Sequence, residues 1–230
     1  MIPWQLLDTA LVPGNGGELR LYRRGHELSI RADGNELMSS RAHASEEALA
    51  RHGCAPIGAR RGARVLVGGL GMGYTLAETL RQLRSDAQVI VAELVPEVVR
   101  WNREHLGHLA GAPLEDARVQ VHVGDVAELL RNQHARYDAI LLDVDNGPEG
   151  LTRAANDWIY AKAGLRHALS SLRPEGVLAL WSAAADAAFS GRLKGLGCQV
   201  REVSERARGA RGGSRHHIWL VTAPSKRIGL

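Results

Sequence analysis

Two carboxylates follow an apolar run near the middle of the chain. The run Tyr137 to Leu142 has the composition of a buried strand, and Asp143 and Asp145 come after it. When two carboxylates share a crevice, burial and mutual repulsion can raise the pKa of one of them toward that of a useful general base. We therefore predict that Asp143 and Asp145 are catalytic. The alternative for this segment is a turn, because Asp, Asn, Gly and Pro all favour turns.

Three glycines at alternate positions follow an earlier strand-like run. Residues 64–68 are rich in valine, Gly69, Gly71 and Gly73 come next, and a helical pattern of leucines begins at Leu76. Such a turn brings the backbone close to a ligand, and the amino end of the next helix offers unpaired N–H groups. The spacing does not complete the G-x-G-x-x-G of dinucleotide-binding folds. It resembles motif I of class I S-adenosylmethionine-dependent transferases.

Two further acids each end a predicted strand. Glu93 ends the run from Gln88, about twenty residues beyond the glycines, where an acid can accept hydrogen bonds from both ribose hydroxyls. Asp125 follows the run Val119 to Val123, at the position from which class I enzymes bind the adenine amino group, although Asp is also a good helix N-cap. The predicted cofactor-binding residues are Gly69, Gly71, Gly73, Glu93, Leu94, Asp125 and Val126.

These residues need an alternating series of strands and helices to bring them together. From Arg64 onward the pattern alternates in this way, with a helix opened by Pro96 and others over Asp157 to Ser171 and Ala183 to Leu196. An antiparallel pair near the carboxyl end completes the series. We predict an α/β fold with a doubly wound, mostly parallel seven-stranded sheet, which is class I methyltransferase-like. Its strand ends form the ligand crevice.

The first part of the chain has a different pattern. Three short extended runs between Leu19 and Met38 predict a small antiparallel β unit. The segment Ser40 to Ala50 predicts a helix with Ser45 or His43 near its beginning and Gly53 after its end. We therefore divide the chain into a β-rich amino-terminal unit with a helix, residues 1–58, and a Rossmann-like S-adenosylmethionine-binding domain, residues 59–230.

Composition is that of an ordinary globular protein. The chain has 230 residues, of which 45% are hydrophobic and 23% charged, with a formal net charge of +4. We expect no membrane span, no signal peptide and a cytoplasmic location. Cys54 and Cys198 are too few and too isolated for a disulfide framework or a metal site, so we predict free thiols and no metal.

The order of these motifs resembles the spermidine synthase (polyamine aminopropyltransferase) family over residues 19–181. The resemblance implies an enzyme of polyamine biosynthesis that uses decarboxylated S-adenosylmethionine, a small amine acceptor and a homodimer. It implies that the glycine turn, Glu93 and Asp125 bind the donor and that Asp143 helps deprotonate the amine. The chain departs from the family at Met72, where the family has an aspartate that contacts the donor's aminopropyl amine, and in the segment after Asp143. In the amino-terminal helix, where the family carries Tyr-His-Glu or similar, only the acid of residues 44–47 remains clear.

Two alternatives to aminopropyl transfer follow from these departures. One is methyl transfer from S-adenosylmethionine to a small molecule or RNA, and the other is a nucleoside-binding homologue without catalysis. The segment 206–215 is rich in arginine and glycine and predicts a mobile, solvated hairpin loop. A phosphate or RNA contact there is the alternative, but the chain lacks the aromatic and basic surface of a dedicated RNA-binding protein, so we expect no nucleic-acid partner.

Overall fold

Two β-sheets form the framework of the protein. The computed structural model describes residues 2–14, 16–131, 135–144 and 157–223. Asp145, one of the two predicted catalytic residues, lies outside these ranges. The strands are β1 (Gln5–Leu11), β2 (Glu18–Arg24), β3 (Glu27–Ala32), β4 (Asn35–Ser39), β5 (Arg64–Gly68), β6 (Gln88–Glu93), β7 (Val119–Val123), β8 (Tyr137–Leu142), β9 (Leu172–Ser182), β10 (Gln199–Arg206) and β11 (Arg215–Thr222).

The larger sheet has the strand order β10-β11-β9-β8-β5-β6-β7. Strands β5 to β9 pair in parallel, while β11 pairs antiparallel with both β9 and β10. This confirms the predicted seven-stranded, mostly parallel sheet and its closing antiparallel pair. The chain runs from β5 outward through β6 to β7 and then returns to β8 on the other side of β5, and ligands of open α/β sheets bind at such a switch point.

The helices lie between the strands in sequence. They are α1 (Ala44–Cys54), α2 (Tyr74–Gln82), α3 (Pro96–Trp101), α4 (Gly107–Ala110), α5 (Val126–Arg131), α6 (Asp157–Tyr160), α7 (Lys162–Ser171) and α8 (Ala187–Lys194). No helix in the described ranges is long and apolar enough to span a membrane.

Helix α1 begins where predicted but ends later. It begins at Ala44, directly after His43, and it continues through Gly53 to Cys54. Gly53 lies within the helix, and its role is in packing. A Cβ at this position would lie 2.3 Å from Leu141 Cδ2, so the absence of a side chain lets α1 approach the sheet. Ser45 was a candidate for the helix start, but its hydroxyl instead contacts His216, 171 positions away.

Three other predicted helices are interrupted or shorter. The helix from Pro96 contains a π-helical turn over Asn102–Leu106 between α3 and α4. The predicted helix Asp157 to Ser171 is broken at Ala161 into α6 and α7. Helix α8 begins only at Ala187, because the Asp186 carboxylate accepts the Phe189 backbone N–H and so caps it there.

The smaller sheet has four antiparallel strands in the order β1-β2-β3-β4. The sequence predicted β2, β3 and β4 but missed β1. Asp8 on β1 joins this sheet to α3, since its carboxylate accepts hydrogen bonds from Trp101 Nε1 at 2.6 Å and from Arg100 at 2.7 Å. The Trp101 hydrogen bond is the main reason that the pKa of Asp8 is lowered. A domain boundary near residue 58 stays a prediction.

The arginine- and glycine-rich segment connects β10 to β11 as a hairpin and contains a short helical turn. Strands β10 and β11 pair up to Arg206 and Arg215, and a 3₁₀ turn spans Gly209–Arg211. Ala207 is buried, and its carbonyl accepts the Ala44 N–H at the start of α1. This segment therefore helps to position α1 on the large sheet.

Asp138 forms a buried ionic cluster at the amino end of β8. Its fully buried carboxylate accepts the Arg64 backbone N–H at 2.7 Å and pairs with Arg60 and Arg173.

We expect Asp138→Ala to lower the free energy of unfolding by about 3–5 kcal/mol, because two guanidinium groups would lose a buried counterion. Urea unfolding measures this, and Glu27→Ala is the control because Glu27 pairs with Arg24 and Arg41 at the surface, where such pairs contribute about 0–1 kcal/mol. Equal losses in the two variants would contradict the prediction.

Candidate active site

The glycine turn connects β5 to α2 with little space around its backbone. Gly69, Gly71 and Gly73 all have positive φ angles, and the Gly69 N–H donates to the Ala92 carbonyl on the neighbouring strand. At Gly69 φ is +90°, and a Cβ there would lie 2.2 Å from the carbonyl oxygen of Asp143. Glycine is therefore required at position 69 for two reasons, the backbone angle and the close approach of the strand end that carries Asp143.

We expect Gly69→Ala to abolish nucleoside binding and to destabilise the fold, because both backbone segments would have to move apart. Gly111→Ala is the matched control, since Gly111 has φ +78° and nothing within 4 Å of its added Cβ. In the control variant the free energy of unfolding should fall only by the cost of placing alanine in the left-handed region, about 1–2 kcal/mol. Thermal unfolding measures the loss of stability. Calorimetric titration with 5′-methylthioadenosine, the nucleoside part of the predicted donor, measures the loss of binding. Normal nucleoside binding by Gly69→Ala would contradict this account of the turn.

Asn102 holds the glycine turn from the other side. Its amide Nδ2 donates to the Gly71 carbonyl at 2.7 Å and to the Val98 carbonyl at 2.9 Å. Asn102 begins the π-helical turn after α3, and such turns are frequent at functional sites. The sequence analysis missed Asn102, because neither its residue type nor its position in a predicted helix indicated a contact with the turn.

Glu93 lies at the carboxyl end of β6 beside the glycine turn. It is buried, and its two oxygens accept the Leu70 and Val95 backbone N–H groups at 3.0 and 2.9 Å. Burial raises the pKa of this carboxyl, and the backbone donors oppose the rise. The Gly71 and Leu94 backbone N–H groups also interact with this carboxylate, so several backbone donors hold it at the edge of the glycine turn.

Asp125 follows β7 at the same edge of the sheet. Its Oδ1 accepts the Ala127 N–H at 2.8 Å, so the N-cap alternative for this residue is observed. Asp125 also lines the cleft described below, together with Leu94 and Val126, and an adenine contact is compatible with the cap because the second oxygen remains.

Asp143 lies next to Glu46, an acid that the sequence analysis did not include among the site residues. The Asp143 carboxylate follows β8 and accepts the Thr75 hydroxyl of α2 at 2.6 Å. Glu46 projects from α1, and its Oε2 is buried with no hydrogen-bond partner in the described part of the chain. The structure thus supplies a second carboxylate beside Asp143 from α1.

Both carboxyl groups hold their protons more tightly than usual. Burial raises the pKa of Asp143 to about 6, against the Thr75 hydrogen bond. Burial also raises the pKa of Glu46 well above its usual value, and the nearby charge of Asp143 raises it further. Each carboxyl group therefore accepts a proton at a higher pH than an exposed carboxyl does, which suits a general base.

One cleft at the carboxyl edge of the large sheet is lined by Gly69, Gly71, Glu93, Asp125, Asp143 and Glu46, whereas Gly73 and Asn102 are not among its described lining residues. The cavity has a volume of about 150 Å³ and opens to solvent. Val12, Leu37 and Met38 of the smaller sheet form one wall, so that sheet covers part of the site. Met72, 2% exposed, lies in the glycine turn on the cleft surface. Four carboxylates line the cleft, and none of its described lining residues is Lys, Arg or His.

Trp181 is a second lining residue that the sequence analysis did not assign to the site. It follows Leu180 near the end of β9, and Leu180 pairs with Leu142, so Trp181 and Asp143 extend neighbouring strands to the same level. Two aromatic residues of α6, Trp158 and Tyr160, are not among the described lining residues. Tyr160 is buried in the core.

The family of the chain follows from comparison with known proteins. The sequence model of the spermine/spermidine synthase domain matches residues 44–185, which is more than half of the chain. The chain belongs to the spermine/spermidine synthase family. The matched range includes Glu46, the glycine turn, Glu93, Asp125, Asp143 and Trp181.

Individual members of the spermine/spermidine synthase family are similar in sequence or in structure. A polyamine aminopropyltransferase of Synechococcus sp. (strain JA-2-3B'a(2-13)) is 33% identical over 121 residues, which cover 51% of this chain and 36% of that protein. Two spermidine synthase structures, one from Thermotoga maritima and one in complex with the transition state analogue AdoDATO, each superimpose with a TM-score of 0.74 at 14% identity. Each superposition covers 97% of this chain and 74% of that one. The structural likeness confirms the class I methyltransferase-like fold, and the sequence match spans about a third of the curated relative.

Proposed function

We propose that the protein is a transferase of the aminopropyltransferase type, which moves an alkyl group from decarboxylated S-adenosylmethionine to a small amine. The observation that carries the proposal is the pair of Glu46 and Asp143, two acids whose pKa values are raised by burial, in a cleft that also contains Glu93 and Asp125. A base is needed in this reaction because the attacking amine must lose a proton.

In the proposed complex the donor's nucleoside lies over the glycine turn. The Glu93 carboxylate accepts the ribose hydroxyls, Asp125 accepts the adenine amino group, and the side chains of Leu94 and Val126 pack against the base. Gly69, Gly71 and Gly73 leave room for the donor beside the backbone. These assignments are supported by one cleft that is lined by Gly69, Gly71, Glu93, Leu94, Asp125 and Val126.

The proposed reaction is a displacement at carbon. The amine nitrogen attacks the donor's aminopropyl carbon next to sulfur, the new N–C bond forms as the C–S bond breaks, and the sulfonium leaves as a neutral thioether. The ionised carboxylate of the Asp143 and Glu46 pair accepts the amine proton. Asp145 is proposed to assist Asp143. Holding both reactants in line supplies most of the remaining acceleration.

Two features of the cleft favour different donors. Met72 cannot pair with an ammonium, and this favours methyl transfer from S-adenosylmethionine. The carboxylate of that donor, however, would enter a cleft with four acidic side chains and no basic side chain among its described lining residues. Like charges about 4 Å apart repel by about 4 kcal/mol near a protein surface, so we rank the decarboxylated donor first.

Calorimetric titration with the two donors tests the proposal. We expect decarboxylated S-adenosylmethionine to bind at least about tenfold more tightly than S-adenosylmethionine, which corresponds to about 1.4 kcal/mol. Stronger binding of the carboxylated donor would favour methyl transfer, and binding of neither would overturn the donor assignment.

The proposal also includes a homodimer and a cytoplasmic location. Free thiols at both Cys54 and Cys198 are consistent with a reducing compartment.

A further inference from the structure

The hairpin between β10 and β11 carries a cluster of arginines that the proposed reaction does not use. We call residues 206–215 the arginine hairpin. Its four arginines are all exposed, and they are Arg206, Arg208, Arg211 and Arg215. None of them is among the described residues that line the cleft. The arginine hairpin is therefore a charged surface separate from the candidate active site.

The positive charge of the arginine hairpin is not neutralised within the described part of the chain. The two acids of β10, Glu202 and Glu205, each form an ion pair with a histidine. Arg215 donates to the uncharged Ser204 hydroxyl at 3.3 Å. No described carboxylate forms an ion pair with any of the four arginines. Their guanidinium groups therefore remain available to a negatively charged partner.

The fold sets these arginines against one another in two pairs. Arg206 and Arg215 lie directly opposite each other in the ladder of β10 and β11, so their side chains share one face. Arg208 and Arg211 are three residues apart in a turn where the Arg211 N–H donates to the Arg208 carbonyl at 3.1 Å. In 3₁₀ geometry such side chains lie on the same side. Like charges so placed repel, and a bound polyanion would make both pairs favourable.

The backbone of the arginine hairpin holds its side chains in place. The Ala207 N–H donates to the Ser214 carbonyl and the Arg208 N–H to the Gly212 carbonyl, both at 2.9 Å. Ala207 is buried, and its carbonyl accepts the Ala44 N–H at 3.0 Å. The arginines therefore project from a fixed support that packs against the start of α1.

The composition of the arginine hairpin restricts the chemistry of the partner. A guanidinium group can donate two parallel hydrogen bonds to a phosphate, so clustered arginines fit a chain of phosphates. Residues 206–215 are only arginine, glycine, alanine and serine. They offer no large apolar side chain to enter a membrane and no aromatic ring to stack on a base. The partner that fits is the phosphodiester backbone of a nucleic acid.

We propose that the arginine hairpin binds the phosphate backbone of a nucleic acid without base selectivity. This differs from the expectation of no nucleic-acid partner, because the sequence does not show that the four arginines face one another and lack a described carboxylate. A bound nucleic acid would lie beside α1, the helix that carries Glu46. The inference does not rest on the proposed function.

Fluorescence anisotropy with a labelled single-stranded RNA of mixed sequence tests this inference. We expect a Kd of about 10⁻⁴–10⁻⁶ M near physiological salt, the range for binding without sequence preference. The logarithm of the association constant should fall with the logarithm of the salt concentration with a slope of about −3, since each of four phosphate contacts contributes about −0.7. DNA of the same sequence should bind with similar affinity, because the contacts are to phosphates.

The double variant Arg206→Gln with Arg215→Gln locates the site. We expect it to weaken RNA binding about tenfold and to reduce the steepness of the salt dependence by about 1.4, as the loss of two phosphate contacts requires. Its thermal stability should be unchanged or higher, because the variant relieves repulsion between opposite arginines. The matched control is Arg23→Gln with Arg103→Gln, which also removes two exposed arginines without a described ion pair. The control should weaken RNA binding less than about twofold.

Several results would overturn the inference. They are absence of RNA binding by the native protein, equal weakening in the two double variants, and RNA binding with an unchanged salt dependence in the hairpin variant. Tighter binding to vesicles of phosphatidylserine and phosphatidylcholine than to RNA would also overturn it, since the partner would then be a membrane surface. Titration of the hairpin variant with decarboxylated S-adenosylmethionine tests the proposed function separately, and we expect donor affinity to be unchanged.

Discussion

Asp143→Asn is expected to lower the rate of alkyl transfer by about 10²- to 10⁴-fold, the usual contribution of a general base. The amide has nearly the same shape as the carboxylate and can still accept the Thr75 hydroxyl through its oxygen. It cannot take the proton from the attacking amine. Single-turnover measurement of nucleoside product separates this effect from donor affinity, which should stay within a few-fold of the native protein.

The same variant should be more stable than the native protein at alkaline pH. A carboxyl whose folded pKa is raised stabilises the fold most below its unfolded pKa, near 3.8, and stability falls as the pH rises through about 6. Asparagine removes this loss, so we expect a gain of about 1–3 kcal/mol at pH 8 and little gain at pH 4. A destabilised variant at pH 8 would contradict the assigned burial of Asp143 and would also weaken any conclusion from lost activity.

The pH dependence of the rate is the second large effect. Only the ionised form of the pair accepts a proton, so the rate at saturating substrates should rise from pH 5 to pH 7, with its midpoint near the Asp143 pKa of about 6. We expect Glu46→Gln to leave this midpoint near pH 6, because the cause of the raised Asp143 pKa is burial, which the variant keeps.

Glu47→Gln is the matched control for the pH experiment. Glu47 is the next residue of α1, but its carboxylate pairs with His43 and Arg51. Its replacement should also leave the midpoint in place. A midpoint that falls in Glu46→Gln but not in Glu47→Gln would contradict burial as the cause of the raised Asp143 pKa, because it would mean that a charge on Glu46 raises it.

The part of the site that the sequence predicted consists of residues at strand ends. Gly69, Glu93, Asp125 and Asp143 each follow a parallel strand, and parallel strands bring their carboxyl ends to one edge of the sheet. Strand order and helix pattern were therefore enough to predict that these residues line one cleft. Their roles toward a ligand remain proposals, and Asp145 lies outside the described residues.

The missed residues depend on packing between distant segments. Glu46 reaches Asp143 because α1 crosses over the large sheet, and this close packing depends on Gly53, which the sequence indicated only as a helix end. The Ser45 contact with His216 joins positions 171 residues apart. Periodicity and local turn signals describe neighbours along the chain and carry no information on such contacts.

The central claim is that an alkyl group leaves a decarboxylated sulfonium donor for an amine in this cleft. The direct test is mass spectrometry of the nucleoside product after incubation with decarboxylated S-adenosylmethionine and 1,4-diaminobutane, with Asp143→Asn as the control. The account predicts 5′-methylthioadenosine together with an aminopropylated amine, and a strongly reduced yield of both in the variant. Release of S-adenosylhomocysteine from S-adenosylmethionine with no product from the decarboxylated donor would contradict it.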